Sequence, residues 1–152
     1  MWDQQLFELF TNIIPQSFAF ILLFFSLTNI KIKAKPYILI SIGLSVLVFL
    51  IRPYVNFGVH SVIMLFSLVI IGVAWGKAEI VSSVIYGLIT YMIAYISEWL
   101  TFIFLTIIGF DLDLLNSDSK LRTIIGVIPL LLFFGAGLTV YYVKKKQKKK
   151  EE

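Results

Sequence analysis

Runs of hydrocarbon side chains decide what this chain can become. The stretch "YILISIGLSVLVFLI" at residues 37–51 carries no charged group, and similar blocks recur along the sequence. A helix of roughly 20 such residues crosses the hydrocarbon layer of a bilayer, which is about 30 Å thick. Soluble domains instead distribute apolar residues at the helical or strand period. They also run roughly 45–50% apolar, whereas this chain is 59% hydrophobic with a mean hydropathy of +0.94. A water-facing fold has nowhere to put that surface, so the expectation is an all-α integral membrane protein.

Five blocks qualify as spans, at about residues 9–28, 36–51, 59–75, 80–109 and 123–143, followed by a lysine-rich tail at 144–152. Short connections make a compact bundle of five helices. The alternation at period two that a β-barrel needs is absent, and no internal repeat is visible. The N-terminal "MWDQQLFELF" is acidic where a signal peptide carries positive charge, so the first block is expected to remain as a permanent span. Lysine and arginine in short loops resist translocation. Lys31, Lys33, Lys35, Lys77 and the six tail lysines share one side if the C-terminus is cytoplasmic, leaving only Arg52, Lys120 and Arg122 outside. The expected topology is N-terminus out, C-terminus in, in a bacterial cell membrane.

Helices in lipid associate through close packing, which small residues allow. The fourth block carries Ser83, Gly87, Thr90, Ala94, Ser97 and Thr101, spaced alternately four and three. That spacing puts them on one face at the period of a left-handed crossing. A helix-packing seam is the primary expectation; a permeation path lined by hydroxyls is the alternative. Gly126, Gly135 and Gly137 with Pro129 suggest a further close contact in the fifth block.

Ionisable groups within apolar blocks are costly, about 2.5–3.5 kcal/mol at mid-membrane. Glu98 lies inside the fourth block, where a carboxyl group either keeps its proton or finds a cation and donors. Arg52 ends the second block and His60, the sole histidine, begins the third. Glu8, Asn12 and Gln16 recur every four residues on one face of the first. All are expected in the outer half of the bundle, with Arg52 paired to Glu98 or Glu8 and His60 nearby. Three readings stay open: an ion pair that fixes helix register, an outward-facing cavity that binds a ligand, and a proton relay through Glu98 and His60.

Several chemistries have no foothold here. There is no cysteine and one histidine, so thiolate nucleophiles, disulfides and His- or Cys-rich metal centres are excluded. No paired aspartates sit within a span. Asp111, Asp113 and Asp118 fall in the polar loop "DLDLLNSDSKLR", which lacks the glycine and spacing of a calcium loop. No glycine-rich phosphate loop occurs. Neither an enzyme nor a cofactor or metal is expected. Lys144, Lys145, Lys146, Lys148, Lys149 and Lys150 lie just past the last span, so anionic lipid, at about 1 kcal/mol per lysine, is their expected partner rather than nucleic acid. A docking surface for a cytoplasmic protein is the alternative.

The stretches "LIRPYVNFGVHSVIMLF", "ISEWLTFIFL" and "LRTIIGVIPLLLF" together resemble the N-terminal membrane region of clostridial and related Firmicute sensor histidine kinases. These are the kinases with a GHKL-type domain that are similar to quorum-sensing-peptide receptors. The resemblance spans most of residues 1–143 and rests on Arg52, Pro53, Gly58, His60, Glu98 and Pro129. It implies a sensing module for a small extracellular ligand such as a peptide. The sequence ends at Glu152 without a phosphoacceptor or ATP-binding domain, which implies signalling to a separate partner. Two rival expectations use the same charges: a small transporter or transporter subunit, and a structural assembly subunit.

Overall fold

The structure, a computed structural model, describes residues 2–54, 57–111 and 118–151. The side chains of Trp2, Asp3, Phe57, His60, Ser119 and residues 148–151 lie outside that description. Among the described residues there are helices and no strands. Helix α1 (Trp2–Glu8) passes through a π-helical turn (Leu9–Ile13) into α2 (Ile14–Leu27), forming one rod. Helices α3 (Ala34–Ile51), α4 (Phe57–Ala74) and α5 (Ile80–Ile107) follow, and α6 (Ser119–Ile125) leads into α7 (Val127–Glu151). Four rods are long and apolar enough to cross a membrane: Gln4–Leu27, Ala34–Ile51, Ile80–Ile107 and Lys120–Gln147. The apolar run of α4 described in full, Ser61–Ala74, is shorter.

Element ends follow from local chemistry. Asn29 has a positive φ of 58° just past α2, and the Ile30 N–H donates to the Phe25 carbonyl at 3.0 Å, closing a Schellman cap. Gly109, at φ 71°, does the same for α5, with the Phe110 N–H donating to Leu105 at 3.0 Å. Pro53 follows Arg52 at the end of α3, where a missing N–H and a restricted preceding residue stop a helix. The π turn adjoins Pro15, whose ring would crowd the carbonyl of Thr11 in a regular helix. The Ile14 N–H accordingly donates to Leu9, five residues back.

The expected spans shift at two places. The first helix begins at Trp2 rather than near residue 9, because "WDQQLFE" is helical although its polar residues hide it from an apolar-run reading. The loop before the last span is shorter than "DLDLLNSDSKLR". Asp118 caps α6 by accepting from the N–H groups of Lys120 (2.8 Å) and Leu121 (3.2 Å), so Lys120 and Arg122 are helical. Asp113 lies outside the described residues.

From Phe18 to Phe25 helix α2 is apolar on every side, and such a stretch belongs in the centre. In its rod 56% of the apolar window is buried, against 22%, 22% and 17% in the other three long rods. Ala19, Phe20, Ile21, Leu22, Leu23, Phe24 and Phe25 are all buried in sequence. Its most extensive contact is with α7. Asn12 bonds Thr123, the Phe20 ring meets the tilted Phe133 ring at 4.9 Å, Gly137 abuts Leu22, and Lys144 bonds Leu27. The offset between partners stays nearly constant, so the first and last rods run parallel. The outward faces of α3, α4, α5 and α7 expose Leu39, Phe66, Met92 and Leu131 among many large apolar residues. Surface of that extent suits hydrocarbon rather than water.

The face that α5 buries consists of Ser83, Gly87, Thr90, Ser97 and Thr101, with Ala94 half-buried. It packs on α4 and α2. A Cβ on Gly72 of α4 would lie 2.7 Å from Ser83 Oγ and 2.9 Å from Phe24 Cζ, and one on Gly87 would lie 2.8 Å from Leu65 Cδ1. The hydroxyls of Thr90, Ser97 and Thr101 donate to the carbonyls of Tyr86, Ile93 and Ser97, four residues back. Each is buried and bonded within its own helix, as small hydroxyl residues on a packed helix face are.

Candidate functional site

Counting at 1.5 Å per helical residue, Glu8, Arg52 and Glu98 each stand about 27 Å from the end of the bundle where Leu27, Ala34 and Ile80 lie. They therefore share one level. Glu98 reaches it because α5, with 28 residues, outlasts the 18-residue α4. The carboxylate sits where α5 begins to overshoot its neighbour. It is half-buried.

At this level the helices enclose a cavity of about 410 Å³. The first rod contributes Glu8, Asn12, Gln16 and Phe20; α3 contributes Val48 and Arg52; α4 contributes Ser61 and Met64. Helix α5 lends Tyr91, Tyr95, Glu98, Phe102 and Leu105, and the last rod Arg122, Thr123, Gly126, Leu130 and Phe133. The α5 residues are spaced four, three, four and three, one position on from the small-residue face. The small-residue stripe packs the helix and reaches the cavity only at Ala94 and Thr101, while the adjacent stripe supplies the larger lining residues.

Arg52 Nη1 meets Glu8 Oε1 at 2.7 Å. Of the two partners expected for Arg52, the structure selects Glu8, and Glu98 faces the same cavity separately. Asn12 donates through Nδ2 to the Thr123 carbonyl at 3.1 Å, joining the first rod to the last. Gly126 makes room for it, since a Cβ there would lie 3.0 Å from that nitrogen. Gln16 is exposed and lines the cavity. Tyr95 Oη and Ser61 Oγ share a hydrogen bond of 3.2 Å. His60 lies on α4, but its side chain is outside the described residues.

Arg122, Tyr91 and Tyr95 are cavity residues that the sequence reading did not place in the site. For Arg122 a signal existed: Arg122, Gly126, Leu130, Phe133 and Gly137 recur at helical spacing. The polar run before Arg122 masked it. The cavity thus combines two carboxylates, two guanidinium groups and two phenols with an apolar floor of Phe20, Val48, Met64, Leu130 and Phe133. Such a lining is complementary to a molecule with both polar and apolar parts. Among the described residues no group of three metal-binding side chains forms.

The opposite end is different in charge. Lys144 Nζ donates to the Leu27 carbonyl at 2.7 Å and lies 5.7 Å from the centre of the Tyr86 ring. It caps the C-terminal end of α2. Lys145 stands 6.0 Å from the Tyr141 ring, and Lys145 and Lys146 are exposed. Helix α7 continues through this lysine segment to Glu151, so residues 144–151 prolong the last rod. The side chains of Lys148, Lys149 and Lys150 lie outside the description.

Comparison with known protein families, curated proteins and solved structures finds no match.

Proposed function

We propose that this chain is a non-enzymatic, multi-pass protein of a bacterial cell membrane that receives a small extracellular ligand, such as a peptide, and signals to a separate membrane or cytoplasmic partner. The observation that carries this reading is the cavity shared by Glu8, Arg52 and Glu98 at one end of the bundle. Its far side is closed by the packed core around Phe24, Phe25 and Leu68. A pocket open at one end and plugged at the other suits binding better than passage.

In this reading the chain crosses five times, with the N-terminus outside. The 18 residues of α4 span about 27 Å, close to the hydrocarbon thickness of about 30 Å. Lys31, Lys33, Lys35, Lys77 and the α7 lysines gather at the other end, as cytoplasmic segments do. There they meet anionic lipid or the partner. Signalling requires that the ligand favour one bundle arrangement over another. Helix α5 carries the Glu98 stripe and packs on α7, so a shift of α5 against α7 would reach the lysine-bearing end. A small transporter or transporter subunit, using the same charges for its substrate, is the second reading.

The cysteine-free chain offers a direct test. In intact cells, Gln16→Cys is expected to react with a membrane-impermeant maleimide from outside, and Leu130→Trp, which fills the floor, to suppress that reaction. Labelling of Gln16→Cys only from the cytoplasmic side would contradict a receptor open to the exterior. Labelling from both sides would favour the transporter.

A further inference from the structure

We propose that the cavity takes an amphiphile bearing an ammonium group, and that Glu98 is the residue that receives that group. The inference rests on the reading of the cavity as an outward-facing ligand site and names the chemistry of its ligand.

Charge is the first support. The Glu8 carboxylate is engaged by Arg52 at 2.7 Å. Glu98 has no hydrogen bond or ion pair among the described residues, although it lines the same cavity. Arg122 also lines the cavity and is already engaged in an interaction. A carboxylate facing a partly desolvated cavity is complemented by a cation. One carboxylate is too few ligands for a calcium ion, which takes six to eight oxygens. An organic cation with its own hydrogen-bond donors needs only one carboxylate and the aromatic surroundings present here.

Those surroundings are the second support. Tyr95 and Tyr91 lie on α5 about one and two turns deeper than Glu98, with ring centroids 6.1 Å apart, and both line the cavity. Aromatic faces attract ammonium groups. Phe20, Met64, Leu130 and Phe133 complete the lining with apolar surface, the Phe20 ring lying 5.1 Å from that of Tyr91, which a small hydrated cation cannot use and a hydrocarbon chain can. Head at Glu98 and chain toward Phe133 satisfies both parts of the lining.

The route of access is the third. Glu98 and Phe102 also line a second groove on the outer surface of α5, with Trp99, Ile103, Thr106 and Ile107. Trp99 is 70% exposed and Ile107 77% exposed on that side. The carboxylate therefore borders both the cavity and the apolar surface, and a molecule with a hydrocarbon chain can reach it from the outer leaflet.

The test uses the full chain in a nonionic detergent, titrated calorimetrically with decylammonium, decanol and decanoate and corrected against empty micelles. Decylammonium is expected to bind about tenfold or more tightly than either other probe. Glu98→Gln should reduce it to the level of decanol with an unchanged circular dichroism spectrum, and Glu98→Asp should retain the preference should the glutamine variant fold poorly. Competition by added phosphatidylethanolamine would identify a bilayer aminolipid as the occupant; its absence alongside decylammonium binding would identify a water-borne amine. Decanoate binding as tightly as decylammonium, or undiminished binding by Glu98→Gln, would overturn the assignment. Equal binding of all three probes, lost on Leu130→Trp, would remove the ammonium preference while leaving the cavity as a ligand site. Binding by none would remove both.

Discussion

At the scale of single residues, close packing matters more than charge. The Glu8–Arg52 pair is short, but its side chains are 32% and 49% exposed, and pairs of that kind contribute at most about 1 kcal/mol. Gly72 is held more strictly. A methyl group there would press on Phe24, which is fully buried and has no room to turn. Gly72→Ala is expected to destabilise the bundle by about 1–3 kcal/mol, measured by thermal or denaturant unfolding in detergent. Gly43→Ala, where a Cβ meets nothing within 4 Å, should leave stability unchanged or slightly raised. Equal losses at both positions would mean that α4, α5 and α2 do not meet as described.

At the scale of elements, what could be read locally was the apolar block and the small-residue stripe, because each depends only on spacing along one helix. The polar members Glu8, Asn12 and Gln16 were visible for the same reason. What could not be read depends on neighbours or on a single proton. The π turn arises from one missing N–H at Pro15, and the parallel pairing of the first and last rods has no local signature. Arg122 was obscured by the polar run before it, although Asp118 followed by Ser119 is a readable cap. His60 drew attention as the sole histidine, yet its side chain falls outside what the structure describes. Lys144 is the clearest case: in a run of six lysines nothing marks the one that caps α2. Lys144→Gln is expected to cost about 1–2 kcal/mol of stability through the lost charged hydrogen bond at a helix C-terminus. Lys146→Gln, at an exposed position, should stay within about 0.5 kcal/mol. Unfolding midpoints of the two variants check this, and indistinguishable midpoints would refute the cap.

At the scale of the whole molecule, two unlike ends define the protein. One gathers lysines around a cap; the other gathers acids, arginines and tyrosines around a cavity. Between them lies a core built around the all-apolar stretch of α2 at residues 18–25. The proposed function depends on which end faces outward and on α4 completing an odd number of crossings. Single cysteines at Gln5 and Gln147, both exposed, test this in intact cells with an impermeant maleimide. Gln5→Cys should react at once, and Gln147→Cys only after the membrane is opened. Reaction of both from the same side would mean an even number of crossings, and the reverse pattern would turn the cavity toward the cytoplasm; either result contradicts an extracellular binding site.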